Sequence, residues 1–215
     1  MARSYCPKCH KPEKVCLCPW LTKQGNQVAV LILQHPDEVK KAIGTASIVK
    51  LSLERCTITA ELKPDERLIQ NELKALQASQ PLLIYPQALN DTNAHYMYDF
   101  EKDRFTSSPL QKHYDCIILL DGTWRNTREI LHCNPWLRRF PTLELKNAEA
   151  SRYRIRQAQK SGALATIEAV AKALTVLADD VNVDTLLLPF EKMIALQIEQ
   201  MGQAVFEKNY QSSIG

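Results

Sequence analysis

Cys116-Ile117-Ile118-Leu119-Leu120-Asp121-Gly122-Thr123-Trp124 reads as a buried strand that ends abruptly on a polar turn. Its apolar run is short for a helix and does not alternate, the pattern of a strand covered on both faces in a parallel sheet. The same form recurs at Val28 to Leu33, closed by Gln34-His35-Pro36, and at Leu82 to Tyr85. Between these runs, apolar residues fall at helical spacing from Glu38 to Leu53, Asp65 to Ala78, Thr127 to Cys133, Leu164 to Leu177 and Phe190 to Phe206. Cys56 to Ala60 and Leu143 to Leu145 read as further short strands. Pro86 to Tyr114, polar and aromatic without a clear period, reads as an extended or lid-like connection. Strands alternating with helices predict an α/β fold with a mostly parallel sheet flanked by helices.

The 215 residues are 45% hydrophobic and 24% charged, as in an ordinary globular protein. No apolar run is long enough for a membrane helix, and Met1-Ala2-Arg3-Ser4-Tyr5 lacks the apolar core of a signal peptide, so a cytoplasmic location is expected. In that reducing compartment the seven cysteines are thiols or metal ligands rather than a disulfide framework. Cys6, Cys9, Cys16 and Cys18 fall within thirteen residues, among Pro, Lys, His and Glu side chains that would not bury thiols. Four thiolates close a tetrahedral zinc site with no position left for substrate, so the expected metal is a structural zinc. His10 in place of one cysteine and an iron-sulfur cluster are the alternatives. The organisation expected is a cysteine-rich zinc knuckle over 1–25 and an α/β domain over 26–215.

Ligands in open α/β sheets bind beyond the carboxyl ends of the strands, which makes the Asp121 turn a candidate site, with Gly122 allowing close approach of the backbone. Asp121 also fits as a helix N-cap, with Thr123 and Trp124 as packing residues. His35 ends a similar strand and gains weight only from such company. The net charge is +3, but Arg125 to Lys160 holds nine basic residues against three acidic, so that segment carries +6 and the remainder −3. Arg125 and the alternating Arg152, Arg154 and Arg156 around Tyr153 suit a phosphate backbone, and a solvated edge strand is their other reading.

Taken in order, the cysteine cluster, Gln34-His35-Pro36-Asp37-Glu38 with Thr45-Ala46, the Asp121-Gly122-Thr123-Trp124 turn, Ser151 to Arg156 and Thr166-Ile167-Glu168-Ala169 cover nearly the whole chain. In these motifs the sequence resembles the DTW-domain family of tRNA-uridine aminocarboxypropyltransferases. It departs where the family usually carries a serine before the threonine and this chain has Ala165. The resemblance implies transfer of a 3-amino-3-carboxypropyl group from S-adenosylmethionine to N3 of a uridine in the tRNA variable loop. It also implies a SPOUT-like fold whose C-terminal part is knotted around the cofactor. The implied partners are tRNA and S-adenosylmethionine, with neither DNA nor a membrane.

Such a transfer expels neutral methylthioadenosine from a sulfonium, so positioning dominates and a base for the N3 proton assists. Asp121 is the first candidate base, or else a ligand of the cofactor's amino group; His35 is the second. Gly122, Thr123, Trp124, Thr166, Glu168 and Ala169 are the candidate cofactor contacts, Trp124 as a stacking face and Thr166 at a helix start that could receive a carboxylate. Glu168 suits ribose hydroxyls or the helix dipole. The competing readings are a SPOUT-type methyltransferase, a transferase acting on ribosomal RNA, and a non-catalytic RNA-binding module built on the knuckle.

Overall fold

The computed structural model describes residues 4–39, 41, 44–89, 93–107, 110, 113–148, 164–178 and 180–206. Its centre is a seven-stranded sheet of β1 (Ala29–Gln34), β2 (Cys56–Thr59), β3 (Pro81–Ile84), β4 (His95–Asp99), β5 (Arg104–Phe105), β6 (Cys116–Asp121) and β7 (Thr142–Lys146). The order is β2-β1-β6-β3-β7-β4-β5, and every pairing is parallel except the β4–β5 hairpin at the edge. The apolar runs became the inner strands because both of their faces are covered. Val30, Ile32, Ile117 and Leu119 pack on one side, and Leu31, Leu33, Cys116 and Ile118 on the other.

Helices α1 (Pro36–Val39) and α2 (Ala46–Ser52) follow β1. Next come α3 (Glu66–Ala75), α4 (Trp124–Cys133), α5 (Thr166–Leu177), α6 (Val183–Met201) and the short α7 (Gln203–Phe206). The first core layer joins α2, α5 and α6 to the sheet, and the second joins α3, α4 and the 3-10 turn Pro135–Arg139. The result is a three-layer α/β/α arrangement, as the alternation of strands and helices predicted. Residues 4–25 form an irregular loop pinned by a Tyr5–Pro12 bridge and two 3-10 turns, with Leu17 and Trp20 packed into the first layer.

Several boundaries differ from the sequence reading for identifiable reasons. The single helix expected over Glu38 to Leu53 is interrupted near Gly44, a poor helix former, before α2 restarts after Thr45. The connection expected at Pro86 to Tyr114 contains β4 and β5. Tyr96 is buried there against Tyr114 and Leu143, but polar edge residues hide the alternation. α6 begins well before Phe190 and carries Pro189 inside it; burial of Leu186, Leu187 and Phe190 offsets the lost backbone hydrogen bond. The connection from β7 to α5, through which any knot would be drawn, runs through residues 149–163, outside the described residues. Arg152, Arg154 and Arg156 lie outside them too.

Candidate active site

β1 and β6 lie side by side at the centre of the sheet, and Gln34 pairs in register with Asp121 at their carboxyl ends. From there the chain diverges. β1 leads through α2, on one face, to β2 at the near edge, while β6 leads through α4, on the other face, to β7 beyond β3. This is a topological switch point, where the outgoing loops part and leave a crevice.

Asp121 is 8% exposed at the floor of that crevice. Its Oδ2 accepts a 2.7 Å hydrogen bond from Gln34 Nε2, and its Oδ1 accepts one from the Thr166 hydroxyl at the start of α5. The Asp121 carbonyl accepts from His35 N–H at 2.9 Å. One carboxylate therefore ties together β1, β6 and α5. It is not the cap of α4: Thr123 is, its Oγ1 accepting from Asn126 N–H at 3.3 Å. The helix accordingly starts at Trp124, earlier than its apolar spacing suggested.

Gly122 is required by space. Its φ lies outside the left-handed region, but a Cβ there would stand 2.7 Å from Asn126 Cβ and 3.5 Å from His35 Cβ. The close approach is thus to α4 and to the end of β1. Asn126 in turn donates from Nδ2 to Glu38 Oε1 at 3.3 Å, and Lys41 Nζ reaches the same oxygen at 2.7 Å. Glu38 belongs to the motif that closes β1, but Lys41 and Asn126 were not singled out in the sequence. The signal for Asn126 was a polar residue on the face of α4 that also carries Ile130 and Leu131.

His35 is 6% exposed. Its Nδ1 accepts the Asp37 N–H at 3.2 Å, so the neutral ring carries its proton on Nε2. Nε2 is buried without a hydrogen-bond partner among the described residues, and the nearest carboxylate oxygen, Glu129 Oε2, is 3.6 Å away. Trp124 is 41% exposed, which removes the reading of an indole packed behind the loop. Arg125 is exposed beside it.

At the start of α5, Ala165 stands at the N-cap, where its methyl group can accept nothing. The buried Glu168 carboxylate reaches back to Ala165 N–H at 2.8 Å, and Thr45 Oγ1 accepts from Ile167 N–H at 3.3 Å. These bonds hold Thr166 against Asp121, with the half-buried Ala169 a turn further on. Shallow depressions elsewhere on the surface run along α3, lined by Leu73, Lys74, Ala78 and Ser79. The chemistry-bearing side chains converge at the strand ends instead.

The four cysteines form a second constellation. Their Sγ atoms all lie within 4.8 Å of one another, with Cys6–Cys18 at 3.5 Å and Cys9–Cys16 at 3.7 Å. A tetrahedron with metal–sulfur bonds of about 2.3 Å has edges of about 3.8 Å, so the four thiols could hold a metal such as zinc with little movement. The backbone N–H groups of Cys9 and Lys8, with the neighbouring thiols, pull Cys6 down to about 6, into the range where a ligating thiolate forms readily. His10, exposed on a turn with φ of 53°, is not part of the group.

A parallel sheet that gathers polar side chains and a helix start at its switch point, next to an exposed tryptophan, has the form of a ligand-handling α/β protein. The chain belongs to the DTW domain family, whose model matches residues 3–198. It is similar to "tRNA-uridine aminocarboxypropyltransferase 2" of Mus musculus, 29% identical over 213 residues that cover 97% of this chain and 68% of that protein. The protein of the same name from Drosophila melanogaster is 30% identical over 203 residues, 92% of this chain and 76% of its own. That from Macaca fascicularis is 28% identical over 213 residues, covering 97% and 68%. No solved structure matches the chain. Among the described residues, no helix is long and apolar enough to cross a membrane.

Proposed function

We propose that the chain is a tRNA-uridine aminocarboxypropyltransferase that moves the 3-amino-3-carboxypropyl group of S-adenosylmethionine to N3 of a uridine in the variable loop. The observation that carries this reading is the Asp121 carboxylate, buried at the switch point and fixed by Gln34 and Thr166 beside an exposed indole. Asp121 is proposed as the base. Each oxygen keeps a lone pair beyond the hydrogen bond it already accepts, and one of these takes the N3 proton. The N3 electron pair then forms a bond to the arm's methylene carbon next to sulfur. The carbon–sulfur bond breaks with its pair on sulfur, and neutral methylthioadenosine leaves. A sulfonium is already an activated leaving group, so the work left to the protein is alignment, worth about 7–11 kcal/mol in favourable cases.

His35, the other candidate base, is the less suited. Its Nδ1 already accepts the Asp37 N–H, and its Nε2 bears the proton, so it serves better to brace the end of β1 against α4. Gly122 and Thr123 on one wall and Thr166, Glu168 and Ala169 on the other are proposed to hold the donor, Trp124 to offer its face to the donor's adenine or to the target base, and Arg125, Arg152, Arg154 and Arg156 to meet tRNA phosphates. Residues 1–25 are proposed as a structural zinc knuckle and 26–215 as the catalytic domain.

Asp121→Asn tests the reading. The amide preserves size but accepts no proton, so methylthioadenosine release and the RNA mass gain of the whole arm should fall at least about 100-fold while donor and tRNA affinity persist. Unchanged turnover would remove Asp121 from the chemistry. Formation of S-adenosylhomocysteine by the native chain would replace the transferase reading with a methyltransferase.

A further inference from the structure

α4 presents two unlike faces. At about 100° per residue, Asn126, Thr127, Ile130 and Leu131 fall together and are buried, while Trp124, Arg125, Arg128 and His132 fall together and are exposed. Neither Arg125 nor Arg128 has an ion-pair partner among the described residues. Arg128 Nε donates to the Trp124 carbonyl at 3.3 Å, which folds its guanidinium back along the helix toward its first turn. The one acid of α4, Glu129, stands at the margin of this face with Oε2 3.6 Å from His35 Nε2, so its charge is directed to the crevice. The positive character extends past the helix. Burial raises the phenol of Tyr85, at the end of β3, while Arg128 and Arg138 lie close enough to oppose that rise.

A uridine alkylated at N3 must offer its Watson–Crick edge, so it cannot be paired when it reacts. Unpaired nucleotides are held by stacking on aromatic faces with cations along their phosphates, a combination that also distinguishes them from a paired helix. Trp124 sits two residues from Gly122, at the mouth of the crevice, and the guanidiniums continue away from it.

We infer that the outward face of α4 is the platform on which the RNA lies, with an unstacked base against Trp124 and phosphates against Arg125 and Arg128. The surface continues to Arg138. This rests on the proposed tRNA substrate and adds how it is gripped. Binding energy from phosphates next to the target is realised in every tRNA offering the same loop geometry, so this face selects shape and single-strandedness rather than sequence.

Affinity of the full chain for unmodified tRNA, measured across a salt series beside KM for tRNA and for S-adenosylmethionine, tests this. Arg125→Gln/Arg128→Gln removes two phosphate contacts. The slope of log affinity against log salt should become shallower by about 1.4–1.8, and KM for tRNA should rise roughly tenfold with KM for the donor unchanged. Arg125→Lys/Arg128→Lys keeps both charges and should restore the slope. Trp124→Ala should raise KM for tRNA and leave the slope as it was. Lys74→Gln/Lys192→Gln, an equal loss of charge at exposed positions elsewhere, should change neither. An unchanged slope in the arginine-to-glutamine variant, or an equal loss in the lysine pair, overturns the inference. A native chain that neither binds nor modifies tRNA overturns the substrate reading instead.

Discussion

Gly122→Ala is the substitution that the crevice resists most. The added Cβ would stand 2.7 Å from Asn126 Cβ and 3.5 Å from His35 Cβ, and neither neighbour can swing aside because each is fixed by its own backbone. Restoring ordinary carbon packing of about 3.5 Å requires the start of α4 to move roughly 0.8 Å from the end of β1. Overpacking of this kind costs about 1–3 kcal/mol. At about 2–4 °C per kcal/mol for a chain of this size, the melting temperature should fall by roughly 2–12 °C. The effect on turnover should be larger. Thr123 and Trp124 ride on the same displaced helix start, and a misplacement near 1 Å costs on the order of 100-fold in orientation. Scanning calorimetry and single-turnover formation of methylthioadenosine read the two quantities separately. A variant with native melting temperature and native turnover would refute the claim that the backbone at 122 is wedged between α4 and β1.

Three further outcomes are expected. The purified chain should carry about one zinc, and a strong chelator or the Cys6→Ser/Cys9→Ser pair should remove it and lower the melting temperature, as metal analysis and thermal unfolding will show; a metal-free preparation of undiminished stability would count against the site. Asp115 ties the starts of β3 and β6 by accepting from Ser79 N–H, Ser79 Oγ–H and Gln80 N–H. Burial pushes its carboxyl up, but these hydrogen bonds outweigh burial and hold it below the usual 3.8. Its contribution is therefore complete above the unfolded value and is lost as pH falls through the lower folded one. Asp115→Ala should cost about 1.5–3 kcal/mol near neutrality, with the gap narrowing in urea unfolding below pH 3.8. Ala165→Ser should supply the missing N-cap acceptor of α5, whose backbone at 165 is already extended (φ −69°, ψ 155°), and raise stability by about 1 kcal/mol. No rise in melting temperature would mean that Thr45 Oγ1, which already accepts from Ile167 N–H in the first turn of α5, fills that role.

The inner strands were legible because burial on both faces leaves a pure apolar run, which β1, β3 and β6 display. β4 was missed because its polar and aromatic residues show no apolar run: Tyr96 faces the core, while His95 meets Thr142 of β7 and Asp99 accepts from Glu101 N–H. The start of α4 was missed for a different reason. Its first turn holds the buried Asn126 and Thr127, polar residues that a hydrophobic periodicity cannot register, although Thr123 followed by a polar turn is an ordinary cap signal. The start of α6 lies N-terminal to Pro189, where packing of Leu186, Leu187 and Phe190 outweighs one lost hydrogen bond.

The site shows the same division between local signal and long-range pairing. Each polar strand end could be found from its own residues, but the bond between Gln34 and Asp121 joins positions 87 apart, and it exists only because β6 inserts beside β1. Spacing does not state strand order, so the turn at Asp121 read equally well as cap or catalyst until its neighbour was known. Once Gln34, Thr166 and the backbone of His35 are seen to converge on it, the cap reading fails for a concrete reason: Thr123 already accepts the bond that a cap would accept. A carboxylate buried at a switch point with no capping duty is costly unless its remaining lone pairs meet a proton donor, and the crevice side is where such a donor can approach. The same reasoning separates Asp121 from His35, whose accepting nitrogen is spent on its own chain. If Asp121→Asn left turnover intact, the buried carboxylate would have to be explained by the Gln34 and Thr166 bonds alone, and its loss would then appear as lowered stability rather than lowered rate.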